Sequence, residues 1–401
     1  VGTGNIVGAC GAILIGGPGA IFWMWVIAFF GMATIYAEAV LAQRTRKVSE
    51  DGSVAGGPVY YITTAFKGKF GKFLAGFFSV AIILALGFFG TMVQSNSIGE
   101  TFNTAFGCPS WIIGIILAIV SAFVFFGGLH RIASITEKIV PIMAGIYLLG
   151  GIIILAFRIT SIPATFGLIF KYAFMPQAII GGTVGAAIKT AISQGAKRGL
   201  FSNEAGMGST PHAHALAKVD KPHDQGVVAM VGVFIDTFVV LTMTALLVIT
   251  TLYTDNGILA NGAAGVVISK TNMAQYSIGV ALGGSSAATA IGNAFIAICL
   301  LFFAFSTILG WNLFGKLNFE YLFGKRASVI YSAIAVGFVF LGSCLSNDLV
   351  WELTDMFNYL MVLPNAIALI ALCRLVKQSA KEGIAANKEA KRLRKEAAKN
   401  S

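Results

Sequence analysis

The chain has 401 residues, of which 57% are hydrophobic and only 11% charged, with a formal net charge of +11. Soluble domains carry about 25% charged residues, so a soluble enzyme or solvated binding module is excluded. The 47 glycines and 32 phenylalanines fit a polytopic membrane protein instead.

Runs of about 20 apolar residues, enough to cross ~30 Å of hydrocarbon as a helix, mark the candidate spans. The opening "VGTGNIVGACGAILIGGPGA" holds an apolar stretch over 6–16 that is too short to cross. It reads as the second half of a span whose first half precedes Val1. Further spans are expected at 20–42, 73–99, 111–127, 139–157, 178–196, 227–252, 287–311, 328–346 and 350–373. All but four of the 28 Lys and Arg residues then fall on one side, in loops 44–72, 131–138, 196–224 and 316–326 and in the tail from Arg374. Arg158, Lys171 and Lys270 fall on the other side, and Lys189 inside a span.

Lys and Arg favour the cytoplasmic side of spans. A plasma-membrane protein with a cytoplasmic C-terminus is therefore expected, and its charge needs no nucleic acid. The tail 374–401 reads as a solvated, partly helical basic segment near anionic headgroups. A mid-span lysine costs roughly 2.5–3.5 kcal/mol against lipid, so Lys189 is expected to face the interior, with Glu38, Glu204 and Asp236 as available carboxylates. The five cysteines have neither metal nor redox spacing. His212 and His214 are two apart, which does not place both on one helix face. No phosphate loop and no nucleophile with its base is evident.

Two segments interrupt the helical pattern. One is "GTGN" at 2–5; five spans later comes "GGTVGAAIKTAISQGAKRGLFSNEAGMGSTPHAHA" at 181–215. An odd offset gives the two units opposite topology, and paired interrupted helices point to a transporter's binding site. Breaking a helix in lipid leaves backbone groups unsatisfied, at several kcal/mol each. Freed carbonyls can hold sodium and freed amides a carboxylate. In this reading Gly2 and Gly4 let the backbone unwind, while Thr3 and Asn5 add side-chain oxygens. The alternative is a glycine motif that only allows close helix packing.

The stretches "VGTGNIVG", "GGPGAIFWMWVIAFFGMATIYAEAVLA", "GGPVYYI", "KRGLFSNEAGMGSTPHAHA", "AFSTILGWN" and "NYLMVLPNAIALIAL" resemble the alanine/glycine:cation symporter family, from Val1 to about Arg374. "VGTGN" is also similar to the "VGxGN" of the neurotransmitter:sodium symporters, which share the LeuT-type architecture. The resemblance implies an all-α membrane protein with a core at 1–373. Two five-helix inverted repeats, 1–157 and 178–373, would have broken first and sixth helices. It implies sodium-coupled import of alanine or glycine by alternating access, with sodium as coupling ion, no organic cofactor, and a small neutral amino acid and the bilayer as partners.

By the same resemblance, Thr3 and Gly4 face the substrate carboxylate, Gln94 orients the zwitterion, and Phe201 closes over the side chain. Thr307 and Trp311, four apart on one helix face, complete the pocket, the indole leaving room for a methyl group. Sodium would be held by the carbonyls of Val1 and Phe303 and the hydroxyls of Ser306 and Thr307, with Asn5 as a further ligand. No acidic partner for the substrate ammonium is assigned. Proton coupling, another small neutral amino acid, or an ion channel are the alternatives.

Overall fold

The computed structural model describes residues 1–50, 54–175, 184–254, 257–260 and 267–399. Helices dominate it: α1 (Gly4–Gly16), α2 (Gly19–Thr45), α3 (Pro58–Ala65), α4 (Gly68–Phe106), α5 (Ser110–Phe125), α6 (Gly128–Ala156) and α7 (Ile162–Phe174). They continue with α8 (Val184–Asn203), α9 (Pro211–Leu216), α10 (Pro222–Leu252), α11 (Met273–Ala281), α12 (Ser286–Phe323), α13 (Ser328–Gly342), α14 (Asn347–Ala371) and α15 (Cys373–Lys399). A short antiparallel ribbon pairs Lys47–Val48 with Val54–Ala55.

Among the described residues, 7 helices are long and apolar enough to cross a membrane. Phe29, Phe30, Ile119, Phe123, Ile152, Ile153, Val329 and Ile330 are all exposed. Apolar surface on that scale requires a covering phase, which for helices of this length is lipid. The chain is a multi-pass membrane protein. Its interior is polar in places: Thr3, Asn5, Glu38, Gln94, Thr244 and Asn365 are fully buried. In water or lipid alike, such groups stay buried only when they are bonded or functional.

Helix α1 packs on α8, and α2 packs on both α8 and α10. Helix α4 lies against α12 and α14. These contacts bring Gly4, Gln94, Phe201 and Thr307 to one place. Besides α1, which is π-wound over Gly4–Gly8, α4 winds as π-helix over Ile83–Gly90 and α10 over Ile235–Leu241. Such bulges recur at functional sites, and here they lie just before Gln94 and around Asp236.

Several expectations change. The predicted span 178–196 corresponds to Val184–Asn203, its residues 178–183 lying outside the described ones, as do the glycines Gly181 and Gly182. Helix α12 runs 38 residues, well past the predicted 287–311. Lys189 is exposed near the start of α8, where its long chain can reach the polar boundary. Glu38, Glu204 and Asp236 all bond elsewhere, as described below. Lys197 and Arg198, assigned above to a loop, lie within α8 before the break. Arg198 forks onto Asp355 of α14 at 3.0 and 2.9 Å.

The tail is also different from expectation. It keeps a largely exposed face, but α15 is one continuous 27-residue helix whose other face packs against α2 and α10. Arg44 Nε donates to Ser379 Oγ at 2.8 Å, and its guanidinium pairs with Glu382. Lys221 Nζ reaches Asn387 Oδ1 at 2.9 Å.

Candidate functional site

From Thr3 onward the chain is already helical, wound as π-helix over Gly4–Gly8. Asn5 explains this. Its Oδ1 accepts the Gly2 amide at 2.8 Å, while its own amide donates to the Gly2 carbonyl at 3.2 Å. Gly4 does not unwind the chain; it permits approach. A Cβ there would stand 2.7 Å from the Ser202 Cα, on the other interrupted helix. A Cβ on Gly2 would collide with the Thr307 side chain.

The second interruption spans Glu204–Thr210, between α8 and α9. Glu204, Gly206 and Gly208 have φ of 58°, 97° and 79°. Glycine accepts that region freely, but a glutamate does so at a cost of order 1 kcal/mol. Strain of this kind collects at functional positions. The expectation that substrate or cation satisfies the freed backbone fails for the amides here. The Ala205 amide bonds Asn203 Oδ1, Met207 bonds the Glu204 carbonyl, and Gly206 and Gly208 bond the Glu38 carboxylate.

Between the interruptions lies a cavity of about 20 Å³ lined by Val1, Gly2, Gly4, Gln94, Phe201, Ser202, Glu204, Thr307 and Trp311. Five of the six predicted substrate residues meet there. Thr3 does not: its amide donates to Gln94 Oε1 at 3.2 Å, and its buried hydroxyl has no partner among the described residues. That bond fixes the Gln94 amide, whose buried Nε2 has no hydrogen-bond partner among the described residues.

Glu204 supplies the cavity's carboxylate. Its Oε1 accepts Trp311 Nε1 at 2.7 Å, and its Oε2 accepts the Ser209 hydroxyl. The Trp311 indole fits because residue 90 is glycine, where a Cβ would press on the ring at 2.7 Å. Phe201 meets Trp311 edge-on at 5.5 Å and Trp351 at 4.7 Å. Trp351 in turn lies under the Arg198 guanidinium at 4.3 Å and Lys270 at 5.6 Å. Phe201 thus separates the small cavity from this cationic layer. As it stands the cavity holds about one water. A larger occupant requires Phe201 or Trp311 to move.

Beside the cavity, hard oxygen atoms of the kind that bind small cations gather at α12. Thr307 Oγ donates to the Phe303 carbonyl at 2.9 Å and to the Val1 carbonyl at 3.2 Å. Ser306 Oγ donates to the Phe303 carbonyl at 3.0 Å. Asn5 stands in a separate cluster. Its Nδ2 donates to the Asp236 carboxylate at 2.8 Å, whose other oxygen accepts Ser202 Oγ at 2.9 Å. Thr244 Oγ donates to the Asn5 carbonyl at 2.7 Å.

Reading the sequence missed Glu204, Ser202 and Asp236 as site residues. The available signal was that acids inside apolar spans are functional by default.

The model of the sodium:alanine symporter family matches residues 1–397. The sodium/alanine symporter AgcS of Methanococcus maripaludis is 42% identical over 402 residues, covering 100% of this chain and 83% of that protein. The amino-acid carrier protein AlsT of Bacillus subtilis is 36% identical, over 93% of this chain and 75% of its own length. A Bacillus subtilis chain named a probable sodium/glutamine symporter, GlnT, is 37% identical, over 95% and 75%. The protein belongs to the sodium:alanine symporter family.

Proposed function

We propose that this chain imports alanine or glycine together with sodium, by alternating access around the cavity between its two interrupted helices. One observation carries the reading. Gln94 presents a buried N–H₂, unpartnered among the described residues, at a cavity that also holds a carboxylate and two aromatic rings. An amino acid supplies the complementary groups. Gln94 Nε2 and the backbone at Gly4 receive its carboxylate, and Glu204 its ammonium. Phe201, Thr307 and Trp311 bound a hydrogen or methyl side chain. Thr3 acts through Gln94, by fixing its amide.

Sodium is the second cargo. The carbonyls of Val1 and Phe303 and the hydroxyls of Ser306 and Thr307 form the first set of oxygens for it. Asn5 and Asp236 form the second: Asn5 would offer the Oδ1 that now accepts the Gly2 amide, and the Asp236 carboxylate the opposing charge. One sodium falling through ~100 mV releases about 2.3 kcal/mol. A tenfold concentration gradient adds about 1.4 kcal/mol.

The frame we assign is LeuT-type, with inverted repeats at 1–157 and 178–373 and a cytoplasmic tail at 374–401. The pairing of α1 with α8 and of α2 with α10 supports it, because these would be the first and second helices of each repeat. Membership of a symporter family makes the chain a transporter and not an enzyme. A larger neutral substrate is the second reading, since a relative is named for glutamine; the Trp311 and Phe201 rings that bound the cavity weigh against it.

The test is uptake of labelled alanine into proteoliposomes under an inward sodium gradient, with potassium, choline and pH-gradient controls. Uptake that saturates and collapses without sodium is expected. Uptake unchanged by sodium removal contradicts the ion assignment, and glutamine carried in preference to alanine contradicts the substrate.

A further inference from the structure

Glu38 is fully buried on α2 and lines no part of the cavity. Its carboxylate nonetheless touches both of the glycines that shape the second interruption. Oε2 accepts the Gly206 amide at 3.1 Å, and Oε1 accepts the Gly208 amide at 2.9 Å. Oε1 also accepts Asn365 Nδ2 at 2.6 Å, from α14. Asn365 Nδ2 reaches the Gly206 carbonyl at 2.9 Å, and its Oδ1 accepts the hydroxyl of buried Tyr61, on α3. No described Lys or Arg bonds Glu38.

The partners explain why an uncompensated carboxylate sits there. The left-handed φ at Gly206 and Gly208 turns both amides toward one point, and converging backbone amides favour an anion. Three N–H donors converge on two oxygens, which suits a carboxylate and nothing else of that shape. A glutamine would turn one N–H₂ toward a backbone N–H or toward Asn365. The amides of Ala205 and Met207 are bonded within their own segment. Those of Gly206 and Gly208 depend on Glu38 alone among the described residues. Glu204 lies two residues from Gly206, so whatever fixes the glycines fixes the cavity's carboxylate.

We infer that Glu38 is a positioning residue for the substrate cavity. From α2, and braced by Asn365 and Tyr61, it holds the 204–208 segment in the conformation that aims Glu204. The cation oxygens of Val1, Phe303, Ser306 and Thr307 do not touch this clamp. Its loss should therefore separate amino-acid recognition from sodium recognition. The inference rests on the alanine reading for its transport readout only.

The experiment combines two measurements on Glu38→Gln in the full chain. Hydrogen–deuterium exchange of the peptide covering 204–210 should accelerate at least tenfold against wild type. The KM for alanine should rise about tenfold, while the sodium concentration for half-maximal uptake, at saturating alanine, stays within twofold. Asn365→Ala, which keeps the carboxylate, should show the same pattern at about threefold, and serves where Glu38→Gln does not fold. Unchanged exchange overturns the clamp whatever transport does. Faster exchange with an unchanged alanine KM, or equal losses toward alanine and sodium, overturns the positioning role. If the wild type carries no alanine, the functional reading fails separately, and exchange alone still decides the clamp.

Discussion

Gly4 lies so close to Ser202 that a Cβ on the glycine would stand 2.7 Å from the serine Cα. The two interrupted helices thus touch backbone to backbone, and this contact closes one wall of the cavity. Overpacking a site costs typically 1–3 kcal/mol. Here the cost falls on the relation between two helices that must move past each other. Gly4→Ala should cut alanine uptake by tenfold or more while insertion and the detergent-extracted yield stay normal. Wild-type uptake by that variant would show that the contact is not needed for transport.

Trp311 bounds the cavity and bonds Glu204 at 2.7 Å. Replacing it with leucine opens space and frees the carboxylate. One methylene in an apolar pocket is worth about 1–3 kcal/mol of discrimination. Trp311→Leu should let larger neutral amino acids compete with alanine at least tenfold better than in wild type. A competition profile that stays restricted to alanine and glycine would refute the steric account.

Thr307 bridges the two carbonyls assigned to sodium. Thr307→Ala removes one oxygen and leaves Val1 and Phe303 unlinked. The sodium concentration for half-maximal uptake should rise about tenfold, with turnover at saturating sodium falling less. Uptake as a function of sodium measures both. An unshifted sodium curve would move the cation elsewhere.

The tail helix α15 seats Gly383 against His223 of α10, where any Cβ would collide with the ring. His223 is itself bonded to Tyr36 of α2 at 2.7 Å. Gly383→Leu should release the tail, so that limited proteolysis cuts between 374 and 399 faster than in wild type. Equal cleavage rates would mean that the tail is not held there.

The long apolar helices were legible because 20-residue runs and the Lys and Arg bias are properties of sequence alone. Thr307 and Trp311 could be placed together because four residues make about one turn. Gly4 was located but misread. Whether a glycine loosens its own helix or admits another depends on Ser202, some 200 residues away, and no periodicity encodes that approach. Glu204 and Asp236 escaped for a related reason. Glu204 lines the cavity from a left-handed backbone position, and Asp236 meets Asn5 from a π-wound stretch of α10. The tail's docking escaped because its basic composition describes a solvated face and says nothing of the glycine on the other.

The central claim is that one small cavity recognises an amino acid through Gln94 and Glu204 while sodium is bound beside it. Equilibrium binding of labelled alanine to the purified protein, with and without sodium, tests this most directly. Wild type should bind saturably and only with sodium, and Gln94→Ala should weaken binding at least tenfold without changing the fold seen by circular dichroism. Binding that ignores both sodium and the Gln94 substitution would contradict the account.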